Sequence, residues 1–132
     1  MLLVDHNSLE YSLDNKGDIL KIGRGDLCTI QVPLPDSEMD KRLKEDKSFR
    51  GTETSVVDLT SPHRVYYSVA REHAIIDLQE RKITPIKPKN EKDRRVTQIN
   101  GRDVGYEGAI FEDGNIITLG AVNFKFYEKS EE

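Results

Sequence analysis

Cysteine is nearly absent from this sequence: Cys28 is the only one in 132 residues. One thiol cannot build a disulfide framework or a cysteine-based zinc cluster, and it fits a reducing, intracellular compartment. Histidine is almost as scarce, and His6, His63 and His73 stand at no spacing that suits a metal site. No apolar run approaches the ~20 residues of a membrane-spanning helix. The opening "MLLVDHNSLEY" is too short and too soon acidic for a secretory leader. Positive charge is in deficit, with a net charge of −4, which opposes bulk binding of nucleic acid. The glycines of "GRG" at 23–25 are followed by no third glycine and open no helix, so they are no dinucleotide fingerprint. No metal, no cofactor and no membrane is expected, and a nucleic-acid partner is disfavoured.

What is present is strand signal. With 36% hydrophobic and 33% charged residues, the chain suits a single well-solvated domain over 1–132. "SLEYSL" (8–13) alternates, with Leu9, Tyr11 and Leu13 on one face. Further short strands are expected at 19–23, 28–33, 64–70, 73–79, 81–88 and 96–99. The last third adds "RDV", "GAIF", "IITLG" and "AVNFKFYE", where Val122, Phe124 and Phe126 alternate with Asn123 and Lys125. Many short strands separated by turn residues predict an all-β sandwich or barrel. Residues 34–63 break the rhythm with prolines and charges of both signs. That insertion reads equally as a mobile loop or as a short surface helix, since Met39 and Leu43 stand four apart after Asp36 and Ser37.

Four motifs fall in order along these strands: "ILKIGRG" around Arg24, "VAREHAII" with Arg71 and His73, "VTQINGRDV" with Thr97, Asn100 and Gly101, and the closing "EDGNIITLG" hairpin. In this order they resemble the forkhead-associated (FHA) domain, from about Ile19 to Phe126 with the insertion as the interruption. The resemblance implies an SMAD/FHA-type β-sandwich of about eleven strands. The loops at one end of that sandwich would bind a phosphothreonine peptide of a partner protein. A phosphate carries nearly two negative charges and three acceptor oxygens, which the planar fork of arginine meets with charge-assisted hydrogen bonds.

Carried over residue by residue, Arg24 matches the family's phosphate-binding arginine, and Gly23 and Gly25 would free its backbone to turn. His73 matches a histidine that braces the loop from inside, and Asn100-Gly101 a tight hairpin turn. Arg71, Ser68, Thr97 and Arg95 are the expected auxiliary ligands, with Asn100 fixing the recognition loop. The family's hydroxyl donor, a serine, is replaced by Ala70. Ser68 lies two residues earlier, roughly 7 Å away by strand rise. "DRRV" stands before Thr97, where the family carries Ser-x-Asn-Gly, so Arg94 and Arg95 occupy that loop. In this respect the chain resembles the divergent FHA modules of some kinesins and of afadin. Two functions from different classes stay open: a phosphopeptide-binding interaction module, and a phosphate-independent scaffold or homodimerisation domain acting through its sheet faces or insertion. An enzymatic pair of Cys28 and His73 is the weaker alternative to a buried strand cysteine and a bracing histidine.

Overall fold

The computed structural model describes residues 1–45, 62–88 and 96–128. Eleven strands occur among them, in two sheets. They are β1 (Leu2–Asp5), β2 (Glu10–Ser12), β3 (Ile19–Gly23), β4 (Ile30–Gln31), β5 (Ala74–Asp77) and β6 (Lys82–Pro85). β7 (Thr97–Ile99), β8 (Arg102–Asp103), β9 (Ala109–Ile110), β10 (Ile116–Leu119) and β11 (Val122–Tyr127) follow. One sheet runs β2-β1-β11-β10-β7-β8 and the other β4-β3-β5-β6-β9. All pairings are antiparallel except β3 with β4.

The core is the set of residues that alternation points inward. Phe124 and Phe126 of β11, Ile117 and Leu119 of β10, and Leu20 and Ile22 of β3 are fully buried, as are Ala74 and Ile76 of β5. Aromatic side chains meet edge to face in this core, Tyr11 on Phe124 within one sheet at 5.6 Å and Phe111, just after β9, on Phe126 at 4.8 Å between centroids. The first strand was not legible in the sequence. Its four residues, "LLVD", carry no long alternation, and they are placed by pairing with β11 on one side and β2 on the other.

Two elements differ from expectation. Residues 64–70 were expected as a strand, whereas Arg64–Ser68 form a 3-10 helix. Its buried residues are Tyr66 and, just past its end, Val69, three apart as the 3-10 period requires. Valine and tyrosine are β-prone, but the Tyr66 hydroxyl is drawn inward to Asp5, to which it donates at 2.7 Å. In the insertion, the helical alternative holds over Glu38–Glu45, here α1. Ser37 caps it by accepting from the Asp40 amide at 3.2 Å, and Met39 and Leu43 pack on the core. Residues 46–61 of the insertion, and Arg94 and Arg95 in the 89–95 stretch, lie outside the described residues.

Candidate functional site

Arg24 follows the last residue of β3, where the chain leaves the sheet. Its amide donates to Ala70 O at 3.0 Å, and the Gly25 amide donates to Arg71 O at 2.9 Å. Residues 24–25 are thus stitched to the 70–71 loop backbone to backbone. The two glycines flanking Arg24 are needed for this approach. A Cβ at Gly23 would stand 2.7 Å from Ala70 O and closer still to Arg71 O, and one at Gly25 would stand 2.9 Å from Arg71 O. Neither has a positive φ, so the expected reason, freedom to turn, is replaced by lack of space.

His73 holds the other side of the loop. It is fully buried, its Nδ1 accepts from the Ala70 amide at 2.9 Å, and its Nε2 meets Val96 O at 2.8 Å. A carbonyl only accepts, so Nε2 carries the proton and the ring is the neutral tautomer. Both ring nitrogens are spent on backbone. The Cys28 thiol donates to Arg71 O at 2.9 Å. Cysteine and histidine therefore brace the same loop separately and form no nucleophile pair.

The Arg24 side chain is half-buried. Its Nε donates to Val69 O at 2.6 Å, and its guanidinium carbon stands 6.0 Å from the centre of the Tyr67 ring. Its terminal nitrogens have no hydrogen-bond partner, and no carboxylate pairs with it or with Arg71 among the described residues. The guanidinium pKa is lowered first by burial and then by the like charge of Arg71, an effect the Tyr67 side chain opposes. The neighbouring Glu72 carboxylate bonds Lys21 at 3.0 Å. The result is a cation pair, part desolvated, with unused donors and an aromatic wall (Tyr67, which the strand expectation had hidden). Such a place favours an anion.

The other expected residues are placed differently. The Ser68 hydroxyl donates to Val65 O and accepts from the Ala121 amide at 2.7 Å, so it pins the β10–β11 turn and has no proton to offer a ligand. Thr97 is buried in β7 opposite Leu119, and its hydroxyl has no hydrogen-bond partner among the described residues. Asn100, with φ +51°, and Gly101, with φ +83°, form the turn of the β7–β8 hairpin. The Asn100 Oδ1 accepts from the Ile116 amide at 2.9 Å. That bond fixes the hairpin to the start of β10, whereas Val96, at the other end of β7, is the residue bonded to His73. Asn100 is roughly 13 Å along the strand from Val96. Arg95 lies outside the described residues. No group of three or more potential metal ligands occurs among the described residues. No helix among them is long and apolar enough to cross a membrane.

Neither a family model nor a curated protein matches this sequence. Solved structures do. The FhaA FHA domain, complexed with the intracellular domain of Rv3910, superposes with a TM-score of 0.55 at 19% identity, over 94% of this chain and 96% of that one. A second chain comes from a structural and functional analysis of phosphothreonine-dependent FHA domain interactions. It superposes with a TM-score of 0.56 at 15% identity, over 99% of this chain and 100% of that one. The fold is that of the FHA domain, an eleven-stranded β-sandwich spanning nearly the whole chain.

Proposed function

We propose that this chain is an interaction module that binds a phosphorylated segment of a partner protein, phosphothreonine being the residue that the fold's solved relatives suggest. The observation that carries the reading is the half-buried Arg24 guanidinium, with no carboxylate partner among the described residues and Arg71 close enough to lower its pKa. Two like charges held together cost free energy in the empty protein. A dianion between them reverses the sign of that cost, and the Arg24 terminal nitrogens supply the hydrogen bonds. The site end is tied together, because four segments converge there through backbone bonds, the His73 ring and the Ser68 hydroxyl: 24–25, 68–73, Val96 and the 120–121 turn.

The test is a titration of the domain against a degenerate phosphothreonine peptide library and its unphosphorylated twin, with Arg24→Ala as control. Micromolar, salt-sensitive binding to the phosphorylated set alone is expected, weakened about tenfold to a hundredfold in the variant. A second reading, a phosphate-independent scaffold or dimerisation domain, draws on one observation. Ala70 has no hydroxyl and that of Ser68 is engaged with backbone, so this loop offers an anion no neutral O–H donor at either position. Equal binding to both peptide sets, or none, decides for it.

A further inference from the structure

A sheet face turned to water normally carries polar side chains, and the outer face of the β4-β3-β5-β6-β9 sheet departs from that. The strand registers put Ile19 opposite Asp77, Asp77 opposite Lys82 and Lys82 opposite Ile110. One row across four strands therefore reads isoleucine, aspartate, lysine, isoleucine. The next residues along three of these strands, Leu20, Ile76 and Ile83, are fully buried, so the row points outward. Ile19 and Ile110, at its two ends, are each 59% exposed. They stand about 14 Å apart, three strand spacings. Asp77 and Lys82, in the middle, do not pair with each other. One oxygen of Asp77 accepts from the Gln79 and Glu80 amides at 3.0 and 3.2 Å, and Lys82 has no ion pair among the described residues. The Lys82 stem lies along this face, since a Cβ at Gly108 would stand 2.6 Å from both Lys82 Cε and Thr84 Oγ1.

We infer that a second copy of this chain docks on this face, about a two-fold axis lying between the two faces, parallel to the strands and midway between β5 and β6. Read backwards, the row is isoleucine, lysine, aspartate, isoleucine, so it is its own complement. The axis sets Ile19 against Ile110 of the second copy and Asp77 against Lys82 of the second copy, and each contact occurs twice. Both charges gain an opposite one, and both exposed isoleucines leave water. In the next outward row the same axis brings Lys21 over Gly108 and Ile75 over Thr84, so no like charges meet. An axis along the row instead would face aspartate with aspartate and lysine with lysine, which repulsion disfavours. Four strands by four residues of sheet is roughly 19 Å by 13 Å, well under the ~800 Å² per partner of a standard interface. The pair is accordingly weak and concentration-dependent. Because the axis runs along the strands, both Arg24 ends stand on the same side of the pair. The inference does not rest on the phosphopeptide reading.

The experiment is sedimentation equilibrium of the whole chain at concentrations rising into the millimolar range, for wild type, Ile19→Lys, Ile110→Glu and an equimolar mixture of the two variants. Both side chains are mostly exposed, so each variant should keep the wild-type circular dichroism and unfolding midpoint. Wild type is expected to shift from one chain towards two as concentration rises. Each variant alone should associate at least about tenfold more weakly, since it sets a charge against isoleucine twice over. The mixture should recover association, because the introduced lysine of one copy faces the introduced glutamate of the other while the two remaining isoleucines still meet. A wild type that stays monomeric, variants that associate as it does, or a mixture no better than its parts overturns the inference. Titration with phosphothreonine peptides is scored separately: a chain that does not self-associate leaves the phosphate reading standing, and one that ignores phosphate leaves the pair standing.

Discussion

Asp5 and Arg24 are both charged, both removed from water to a large degree, and treated by the fold in opposite ways. Asp5 is 4% exposed, and its two oxygens accept four hydrogen bonds. They come from the Asn7 and Leu9 amides at 2.8 and 3.1 Å and from the Tyr11 and Tyr66 hydroxyls at 2.7 Å each. Every lone-pair site of that carboxylate is answered from within the chain. Arg24 has five N–H donors by chemistry, and the chain answers one of them, at Nε, with Val69 O. A charge whose partners are complete serves the structure. One left with spare donors and a like-charged neighbour is not accounted for by the described residues, and it is the charge on which the proposed function rests.

The sharpest way to break that contrast is to remove each charge and compare stabilities. Asp5→Ala leaves two buried tyrosine hydroxyls and two amides without their acceptor, and should cost about 3–5 kcal/mol in denaturant unfolding. Arg24→Met loses one hydrogen bond and relieves the repulsion from Arg71, so its stability should stay within about 1 kcal/mol of wild type. If the arginine variant unfolds as readily as the aspartate one, Arg24 is a structural residue and the contrast collapses.

Gly23→Ala comes next in size. Its added methyl collides with Ala70 O and Arg71 O, which are backbone atoms held by the Arg24 and Gly25 amides. Nothing there is the soft end of a side chain, so the cost should reach about 3 kcal/mol, the upper range for overpacking. The same push moves the loop carrying Arg71 away from Arg24. Calorimetry should therefore show stability and phosphopeptide affinity falling together, whereas Arg24→Met lowers affinity alone.

How much of this could be read in the sequence depended on period. β11 alternates apolar and polar residues over six positions and was legible with its inward face, whereas β3 reads as an apolar run in which Ile19 is exposed and Leu20 and Ile22 are buried. β1 is too short to alternate visibly and is placed by its neighbours. The 64–68 helix was hidden because "VYYS" has strand-forming residues, while the hydroxyl that pulls Tyr66 inward has its partner, Asp5, sixty-one positions away. The same error concealed Tyr67 as the wall beside Arg24. Motif order placed Arg24, Arg71 and His73 at one end of the sandwich. It could not separate them from Asn100, because three residues of β7 put the hairpin turn at the strand's far end, nor could it show that Thr97, at the near end, is buried. Ser68 could not be judged either, since its partner Ala121 comes from a remote turn.

The Asp5 cluster also sharpens the comparison through pH. Burial, and then the hydrogen bond to Asp5, push the Tyr11 and Tyr66 hydroxyl pKa values above their ordinary value. Neutral tyrosine is thus favoured in the folded state. That stabilisation is fully present below the unfolded pKa of about 10 and is lost as pH rises beyond it, by about 1.4 kcal/mol per pH unit for each tyrosine. Unfolding free energies measured from pH 9 to 11 should fall more steeply in wild type than in Tyr11→Phe; the Cys28 thiol, also pushed up by burial, adds the same fall to both. A curve without pH dependence in that range would mean that the hydroxyls ionise freely and the network is open to solvent.

The smallest effect bears on the site itself. Ala70 is half-buried in the loop whose amide His73 holds, beside the backbone carbonyl that receives the Arg24 amide. Ala70→Ser adds a hydroxyl on a backbone already fixed, without altering the arginines or Tyr67. A hydroxyl bonded to a charged phosphate contributes about 1.5–3 kcal/mol, so affinity for a phosphothreonine peptide should rise at least about tenfold. Affinity for the unphosphorylated twin should not change, because the new donor has no anion to meet. A gain confined to the phosphorylated peptide would also order the causes: the arginine pair draws the anion in, and a donor at position 70 tightens what the pair has already selected. If the serine variant binds no better, the phosphate does not come to rest over position 70, and Arg24 would have to meet its ligand from the Tyr67 side of the loop.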